Sequence, residues 1–245
     1  MKNELARMPG NIVFISGMHG CGKDTLIEDF MKRKEELPFY VIRYYKCEMT
    51  SFKINFERQP RRIAKYAIDF YRVIKLAIEN PNSIIITDRC VYDAYCYLKA
   101  FYRLYWFREE EYEWIKDILA VTFKPFDLST INPVVLVPSF EFIKSNLVKR
   151  QKEKGIKWHE TDLEYCEAVY TAYIDVCILY CDFPVDCIIM KEEDREKRVD
   201  KLMEIVKDKW EIFKDSDDRK NMKDKVDLYK FHPSIRDDGT DGTKV

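Results

Sequence analysis

Short apolar runs recur along the chain and predict β-strands. Each run is rich in isoleucine, valine or aromatic residues and is bounded by polar residues, glycine or proline, which is typical of strands buried on both faces. The runs lie at residues 11–16, 39–45, 83–87, 133–137 and 185–190. They predict a sheet of five strands.

The segments between these runs carry apolar residues at helical spacing. Ile63, Ala67, Phe70 and Ile74 recur at helical intervals, for example, and Pro81 follows that helix. Other helical segments follow the first strand or cover residues 92–107, 109–123, 139–155, 161 onward and 192–213. Strands that alternate with helices predict an α/β fold, in which helices flank a parallel five-stranded sheet on both faces.

A glycine-rich loop lies between the first predicted strand and the first predicted helix. Its residues are Gly17, Met18, His19, Gly20, Cys21, Gly22, Lys23, Asp24 and Thr25. Glycines let backbone N–H groups turn toward phosphate oxygens, the helix N-terminus adds a positive dipole end, and Lys23 adds a charge near the β- and γ-phosphates. Gly-x4-Gly-Lys after a buried strand therefore predicts a P-loop, in which all nine residues bind ATP.

The P-loop departs from the usual form at one position. Asp24 stands where a serine or threonine commonly binds magnesium, and Thr25 comes one residue later. We therefore predict Thr25 as the Mg²⁺ ligand of the loop. Asp24 either binds the water shell of the ion or caps the helix.

A second polar motif ends the third predicted strand. Asp88 and Arg89 fall at its carboxyl end, where ligands bind in open α/β sheets. A carboxylate there can bind magnesium water or a substrate hydroxyl, and an arginine can bind phosphate through two parallel hydrogen bonds. We expect Asp88 to join Thr25 at the Mg²⁺, partly through water, and Arg89 to bind the acceptor.

The P-loop and the Asp-Arg segment together resemble those of thymidylate kinases, which belong to the P-loop nucleoside and nucleotide kinases. The resemblance covers about residues 11–190 and is concentrated in the pattern Gly-x-x-Gly-x-Gly-Lys-x-Thr. It implies a P-loop NTPase fold with a helical lid insertion. It also implies ATP-dependent, Mg²⁺-dependent transfer of a phosphoryl group to a (deoxy)nucleoside monophosphate such as thymidylate.

The resemblance further implies acceptor-binding residues. Cys90 replaces the usual aromatic residue of the family, so Tyr92 or Tyr95 is expected to supply a ring against the base. Three arginines compete for the role of the family's acceptor-binding arginine, namely Arg61, Arg62 and Arg72. Of these we assign Arg72.

A basic segment at about residues 149–161 resembles the mobile lid of the same family. Arg150 and the lysines around it can neutralise the migrating phosphoryl group, and Gly155 supplies a flexible point. The catalytic residues that follow from these assignments are Lys23, Asp88, Arg89 and Arg150.

The domain organisation follows from the absence of internal repeats and linker-like segments. We expect one kinase domain over residues 1–215, including the lid. Residues 216–245 are predicted to form a polar C-terminal extension that is partly disordered.

Two alternative functions stay open. In a deoxynucleoside kinase the acceptor is a hydroxyl group, and a carboxylate after the second strand acts as base. Glu48 occupies that place and is therefore a candidate acceptor-binding residue. The second alternative is a nucleotide-binding protein without turnover, although the chain contains no Asn-Lys-x-Asp guanine motif.

Composition narrows the partners and the location. Lys and Arg number 42 against 43 Asp and Glu, so the chain lacks the basic excess typical of proteins that coat nucleic acids. It contains neither a signal-peptide pattern nor an apolar run long enough to span a bilayer, and its eight cysteines include no Cys-x-x-Cys pair. We expect a cytoplasmic protein with nucleotide substrates and without nucleic-acid or membrane partners. Aromatic residues in the segment 97–114 leave a homodimer open.

Overall fold

The computed structural model describes residues 6–45, 59–124, 126–127, 131–155, 159–178, 186–220 and 222. The strands are β1 (Ala6–Arg7), β2 (Ile12–Ser16), β3 (Tyr40–Tyr44), β4 (Ser83–Asp88), β5 (Phe126–Asp127), β6 (Val134–Leu136) and β7 (Ile188–Met190). The helices are α1 (Lys23–Lys32), α2 (Gln59–Glu79), α3 (Val91–Arg103), α4 (Glu109–Phe123), α5 (Phe140–Lys154), α6 (Leu163–Cys177), α7 (Arg195–Lys214) and α8 (Asp217–Lys220). A 3₁₀ turn covers Lys34–Glu36.

Five parallel strands form the main sheet in the order β3-β4-β2-β6-β7. Because β2 connects toward β3 whereas β6 connects toward β7, the chain leaves these two neighbours in opposite directions. Such a switch point opens a crevice at the carboxyl ends of the strands, which is where open α/β sheets bind ligands. The predicted α/β fold, with a parallel five-stranded sheet flanked by helices, is confirmed.

The core lies between the sheet and its covering helices. All five residues of β2 are buried, as are the three isoleucines at the centre of β4. Helix α3 packs against α6, α2 against α4 and α1 against α7. No helix in the described ranges has both the length and the apolarity needed to cross a bilayer.

Several element boundaries differ from the sequence-based expectation. Helix α6 begins at Leu163 rather than at residue 161, because Asp162 caps it by accepting a hydrogen bond from the Tyr165 amide at 3.1 Å. Helix α7 begins at Arg195 rather than near residue 192, because Asp194 caps it by accepting a hydrogen bond from the Lys197 amide at 2.9 Å.

The two-stranded sheet of β1 and β5 was not expected, since strands this short have no readable period. The six cysteines that the structure describes are all free. Of the predicted C-terminal extension, only residues 216–220 and 222 lie within the described ranges.

Candidate active site

The P-loop wraps around the point where β2 meets α1. Gly17, Gly20 and Gly22 have φ angles of 138°, 79° and 92°. A Cβ on Gly17 would lie 2.8 Å from the Leu136 carbonyl oxygen, so this position requires glycine for space as well as for conformation. Gly22 is the N-cap of α1 and provides no side-chain cap, which leaves the first amides of the helix available to an anion.

Lys23 is buried inside the loop that it follows. Its Nζ donates hydrogen bonds to the carbonyl oxygens of Gly17, at 2.7 Å, and Met18, at 2.9 Å. These bonds hold the ammonium against the first residues of the loop. The arrangement is that of a phosphate-binding loop.

Arg198 of α7 forms a hydrogen bond with the backbone of the P-loop. Its Nη1 donates to the Cys21 carbonyl oxygen at 3.0 Å, and its Nε donates to the Glu192 carbonyl oxygen. The guanidinium lies 4.7 Å from the centre of the Phe142 ring, and its Nη2 has no hydrogen-bond partner in the described part of the chain. Sequence reasoning missed Arg198, because a charged residue in an amphipathic helix has the pattern of a solvated face.

Asp88 and Arg89 lie beside the loop, at the carboxyl end of β4. Arg89 has a φ of 60°, which is unusual for a residue with a side chain, and its amide donates to the Ile15 carbonyl oxygen at 2.7 Å. Its Nη1 lies 3.2 Å from the Tyr97 hydroxyl and 3.5 Å from an oxygen of Asp93. The strained backbone therefore holds the guanidinium over α3, next to the P-loop.

A single cavity of about 940 Å³ joins the two motifs. This volume is at the upper end for ligand sites and is sufficient for two ligands side by side. Basic residues lining it are Lys23, Arg62, Lys65, Arg89, Lys149, Arg150, Arg195 and Arg198. Acidic residues lining it are Asp24, Glu28, Asp69, Asp88, Glu153, Glu160 and Glu193.

Most of the predicted site residues meet at this cavity. Those that line it are His19, Gly20, Gly22, Lys23, Asp24, Thr25, Asp88, Arg89 and Arg150. Gly17 forms the base of the loop, and Met18 and Cys21 are buried beneath it.

Other predicted residues lie elsewhere. Tyr92 and Tyr95 are buried in the core and do not line the cavity, and Arg72 is exposed on α2 and does not line it either. Glu48 lies outside the described residues.

Helix α2 contributes a set of lining residues that sequence reasoning did not assign. Arg62, Tyr66 and Asp69 all line the cavity, and their spacing of four and three residues places them on one helix face. Asp69 is buried and accepts hydrogen bonds from Tyr44 and Lys65, both at 3.1 Å. Helical spacing groups these polar residues on one face, but it does not show that this face meets the cavity.

His19 of the P-loop contacts helix α3. Its Nδ1 lies 3.2 Å from the Tyr97 hydroxyl, and its ring stacks on Tyr165 with 5.3 Å between centroids. Burial, and then the positive charges of Arg89, Lys23 and Arg150, lower the pKa of His19 from 6.5 to about 3. The imidazole is therefore neutral at physiological pH.

The oxygen donors at the cavity suit Mg²⁺. Thr25 and Asp88 both line it, and Asp24 lies beside Thr25 in the first turn of α1. The described residues contain no cluster of three or more His, Cys, Asp or Glu side chains that could bind a metal by themselves. Mg²⁺ in nucleotide sites is typically bound by one or two protein oxygens together with phosphates and water, and this donor set fits that mode.

The predicted lid segment borders the same cavity. Lys149, Arg150 and Glu153 project from the end of α5, and an Nη1 of Arg150 lies 3.1 Å from a Glu160 oxygen. Gly155 ends the helix with a φ of 76°. Residues 156–158 lie outside the described ranges.

Comparisons with known proteins identify the fold. No protein-family model matches the chain, and no curated protein matches it in sequence. Solved structures do match. The chain has the fold of the P-loop nucleoside and nucleotide kinases.

Three of these structures give the extent of the similarity. Deoxyadenosine kinase from M. mycoides with bound dATP matches with a TM-score of 0.53 and 20% identity, over 80% of this chain and 99% of that chain. The same enzyme with dCMP and dCDP matches with a TM-score of 0.51 and 20% identity, over 80% and 98% of the two chains. Thymidylate kinase from Candida albicans matches with a TM-score of 0.53 and 16% identity, over 81% and 92%.

Proposed function

We propose that this protein transfers the γ-phosphoryl group of ATP to a deoxynucleoside monophosphate, with thymidylate as the first acceptor to test. The observation that carries the proposal is the pair of guanidinium groups at the acceptor side of the cavity. The Cζ atoms of Arg62 and Arg89 lie 5.9 and 5.2 Å from the centre of the same Tyr97 ring. Two guanidinium groups at one place suit a phosphorylated acceptor, because each can donate two hydrogen bonds to phosphate oxygens.

The mechanism that fits this site is in-line transfer, in which the protein positions the groups and neutralises charge. Lys23 and the loop amides bind the donor phosphates, while Arg62 and Arg89 orient the acceptor phosphate. Arg150, at the lid, neutralises charge on the transferred group. Thr25 and Asp88 would hold Mg²⁺, which supplies further charge neutralisation when bound.

A phosphate acceptor needs no dedicated base in the cavity. A monophosphate attacks through an oxygen that is already ionised at neutral pH, so no proton has to be removed before transfer. His19 is neutral and points to Tyr97, which suits a structural contact.

The test is ADP formation from ATP and Mg²⁺ across a panel of nucleosides and nucleoside monophosphates. We expect turnover with one or a few deoxynucleoside monophosphates and an increase in the KM for that acceptor in Arg62→Ala. Turnover confined to nucleosides, or an Arg62→Ala enzyme with unchanged acceptor KM, would contradict the monophosphate assignment.

A deoxynucleoside kinase is the second candidate. The deoxyadenosine kinase structures support it as much as the thymidylate kinase structure supports the first candidate. In this case Glu48 acts as the base that accepts the proton of the nucleoside hydroxyl. Glu48→Gln should then abolish turnover of nucleosides, whereas it should leave a monophosphate kinase active.

The location and the assembly stay predictions. We propose a cytoplasmic enzyme and test a homodimer by light scattering. Aromatic residues of the segment 97–114 divide between core and surface, since Phe101 and Phe107 are buried whereas Tyr105 and Trp114 are exposed. A monomeric mass at micromolar concentration would remove the homodimer.

A further inference from the structure

Asp93 is a buried carboxylate in the first turn of α3, and no part of the proposed mechanism uses it. Its side chain has no solvent exposure. Its Oδ2 accepts a hydrogen bond from the Cys90 amide at 2.7 Å, which completes a capping box at the start of the helix. A helix cap is the simplest role for such a residue.

The contacts of Asp93 extend well beyond the helix cap. Oδ2 also accepts from the Ser16 hydroxyl at 2.7 Å, and Oδ1 lies 3.5 Å from the Gly17 amide. Ser16 ends β2 and Gly17 begins the P-loop, so the carboxylate contacts the strand and the loop that position the donor phosphates.

The other face of Asp93 contacts the acceptor side. Oδ1 lies 3.5 Å from Nη1 of Arg89, and it accepts a hydrogen bond from the Tyr173 hydroxyl at 2.5 Å. Every neighbour named here is a donor, so each of them complements the ionised carboxylate. One charged group thus links Arg89 to the start of the P-loop.

Burial of the Asp93 carboxylate costs free energy, which indicates a role beyond the helix cap. A fully buried carboxylate loses its hydration and is tolerated only when it is paired and hydrogen-bonded. A neutral side chain that accepts from the Cys90 amide would cap α3 without this cost. The negative charge instead attracts the Arg89 guanidinium and holds it in place. Arg89 also has an unfavourable φ of 60°, so its position is constrained at both the backbone and the side chain.

We propose that Asp93 is a positioning residue that fixes the Arg89 guanidinium relative to the P-loop. This inference rests on the proposed function, because it assigns Arg89 to the acceptor phosphate. The carboxylate sets the distance between the acceptor arginine and the donor loop, so the two phosphates meet in line. Asp93 itself does not contact a substrate.

The test is a double-mutant cycle on kcat/KM for the acceptor, built from Asp93→Asn and Arg89→Ala. If Asp93 acts through Arg89, Asp93→Asn should lower kcat/KM by about 10- to 100-fold in the native background, the range for a hydrogen bond between charged groups. In the Arg89→Ala background the same substitution should change kcat/KM by less than about 3-fold, because the group that it positions is gone.

Tyr173→Phe is the matched control. It removes one hydrogen bond from the same carboxylate oxygen and should lower the melting temperature, but it leaves the contact with Arg89 in place. We expect its kcat/KM for the acceptor to stay within about 3-fold of the native value, since only the arginine contact serves the acceptor. A loss of kcat/KM as large as that of Asp93→Asn would show that loss of packing alone explains both variants.

A second variant keeps the test decisive if Asp93→Asn does not fold. Asp93→Ser fits the buried space and still offers an acceptor to the Cys90 amide, and it enters the same cycle. If the native enzyme is active but the effects of the Asp93 and Arg89 substitutions on kcat/KM simply multiply in the double mutant, the inference is overturned. Failure of the proposed function is distinguishable, because then the native protein itself shows no acceptor-dependent ADP formation.

Discussion

The proposed donor and acceptor halves of the cavity are built in different ways. Backbone groups form the donor half, since the glycines of the P-loop and the first turn of α1 define it within nine consecutive residues. Side chains form the acceptor half, and they come from α2, the end of β4 and α3. A site made of backbone is recognisable as a motif, whereas a site made of side chains depends on how separate elements pack.

The largest expected effect comes from removing the charge of the donor half. Lys23→Ala should reduce kcat/KM for ATP by about 100-fold or more, because a preorganised donor to the transferring group is lost. ADP formation at saturating acceptor measures it. Arg72→Ala, which removes an exposed cation of α2 outside the cavity, is the matched control and should stay within about 2-fold. Similar losses in both variants would contradict the assignment of the P-loop.

The acceptor half should respond to substitution of Arg89. Arg89→Ala is expected to raise the KM for the acceptor by about 30-fold and to change the KM for ATP much less, since the guanidinium belongs to the acceptor side. Arg89→Lys keeps the charge but loses the two-pronged geometry, so it should restore only part of the loss. Equal changes in the KM for the acceptor and the KM for ATP would contradict the assignment of Arg89 to the acceptor half.

The sequence predicted these halves unequally for physical reasons. The alternation of apolar runs and helical segments was sufficient for the sheet, because burial on both faces leaves a readable pattern in β2 and β4. The P-loop was predicted because its residues are contiguous. Arg62 and Arg72 could not be separated, since the face of α2 that meets the cavity is fixed only by its packing against α4 and the sheet.

Other parts of the site were beyond sequence reasoning because they join distant segments. Arg198 contacts the P-loop from a position 177 residues away. The Asp93 network links the end of β2 to α3 and α6, over separations of 77 and 80 residues. No local pattern carries information about such contacts.

Alanine substitutions of two glycines compare the stability of the P-loop with that of the predicted lid segment. Gly17 and Gly155 both have positive φ, so alanine imposes conformational strain at each. A Cβ at Gly17 would collide with Cys21 and Leu136, whereas one at Gly155 meets nothing within 4 Å. Gly17→Ala should therefore lower the free energy of unfolding by about 1–3 kcal/mol more than Gly155→Ala does. Urea titration measures both variants, and equal losses would mean that strain alone governs these positions.

A gradual, pH-dependent effect is expected at His19, which lies between the P-loop and Tyr97 of α3. Its folded-state pKa of about 3 lies below its ordinary value of 6.5, so between these pH values the unfolded chain binds a proton that the folded chain does not. The free energy of unfolding should therefore fall as the pH drops from 6.5 toward 3, by up to about 1.4 kcal/mol per pH unit from this group. Above pH 6.5 the imidazole is neutral in both states and contributes no slope. His19→Gln removes the titrating group. The free energy of unfolding, measured by urea titration at pH 7, 6, 5 and 4, should then fall less steeply with decreasing pH, by up to about 1.4 kcal/mol per pH unit. An unchanged slope would show that the imidazole gains its proton within the folded protein, and that the contact between His19 and Tyr97 does not keep it neutral.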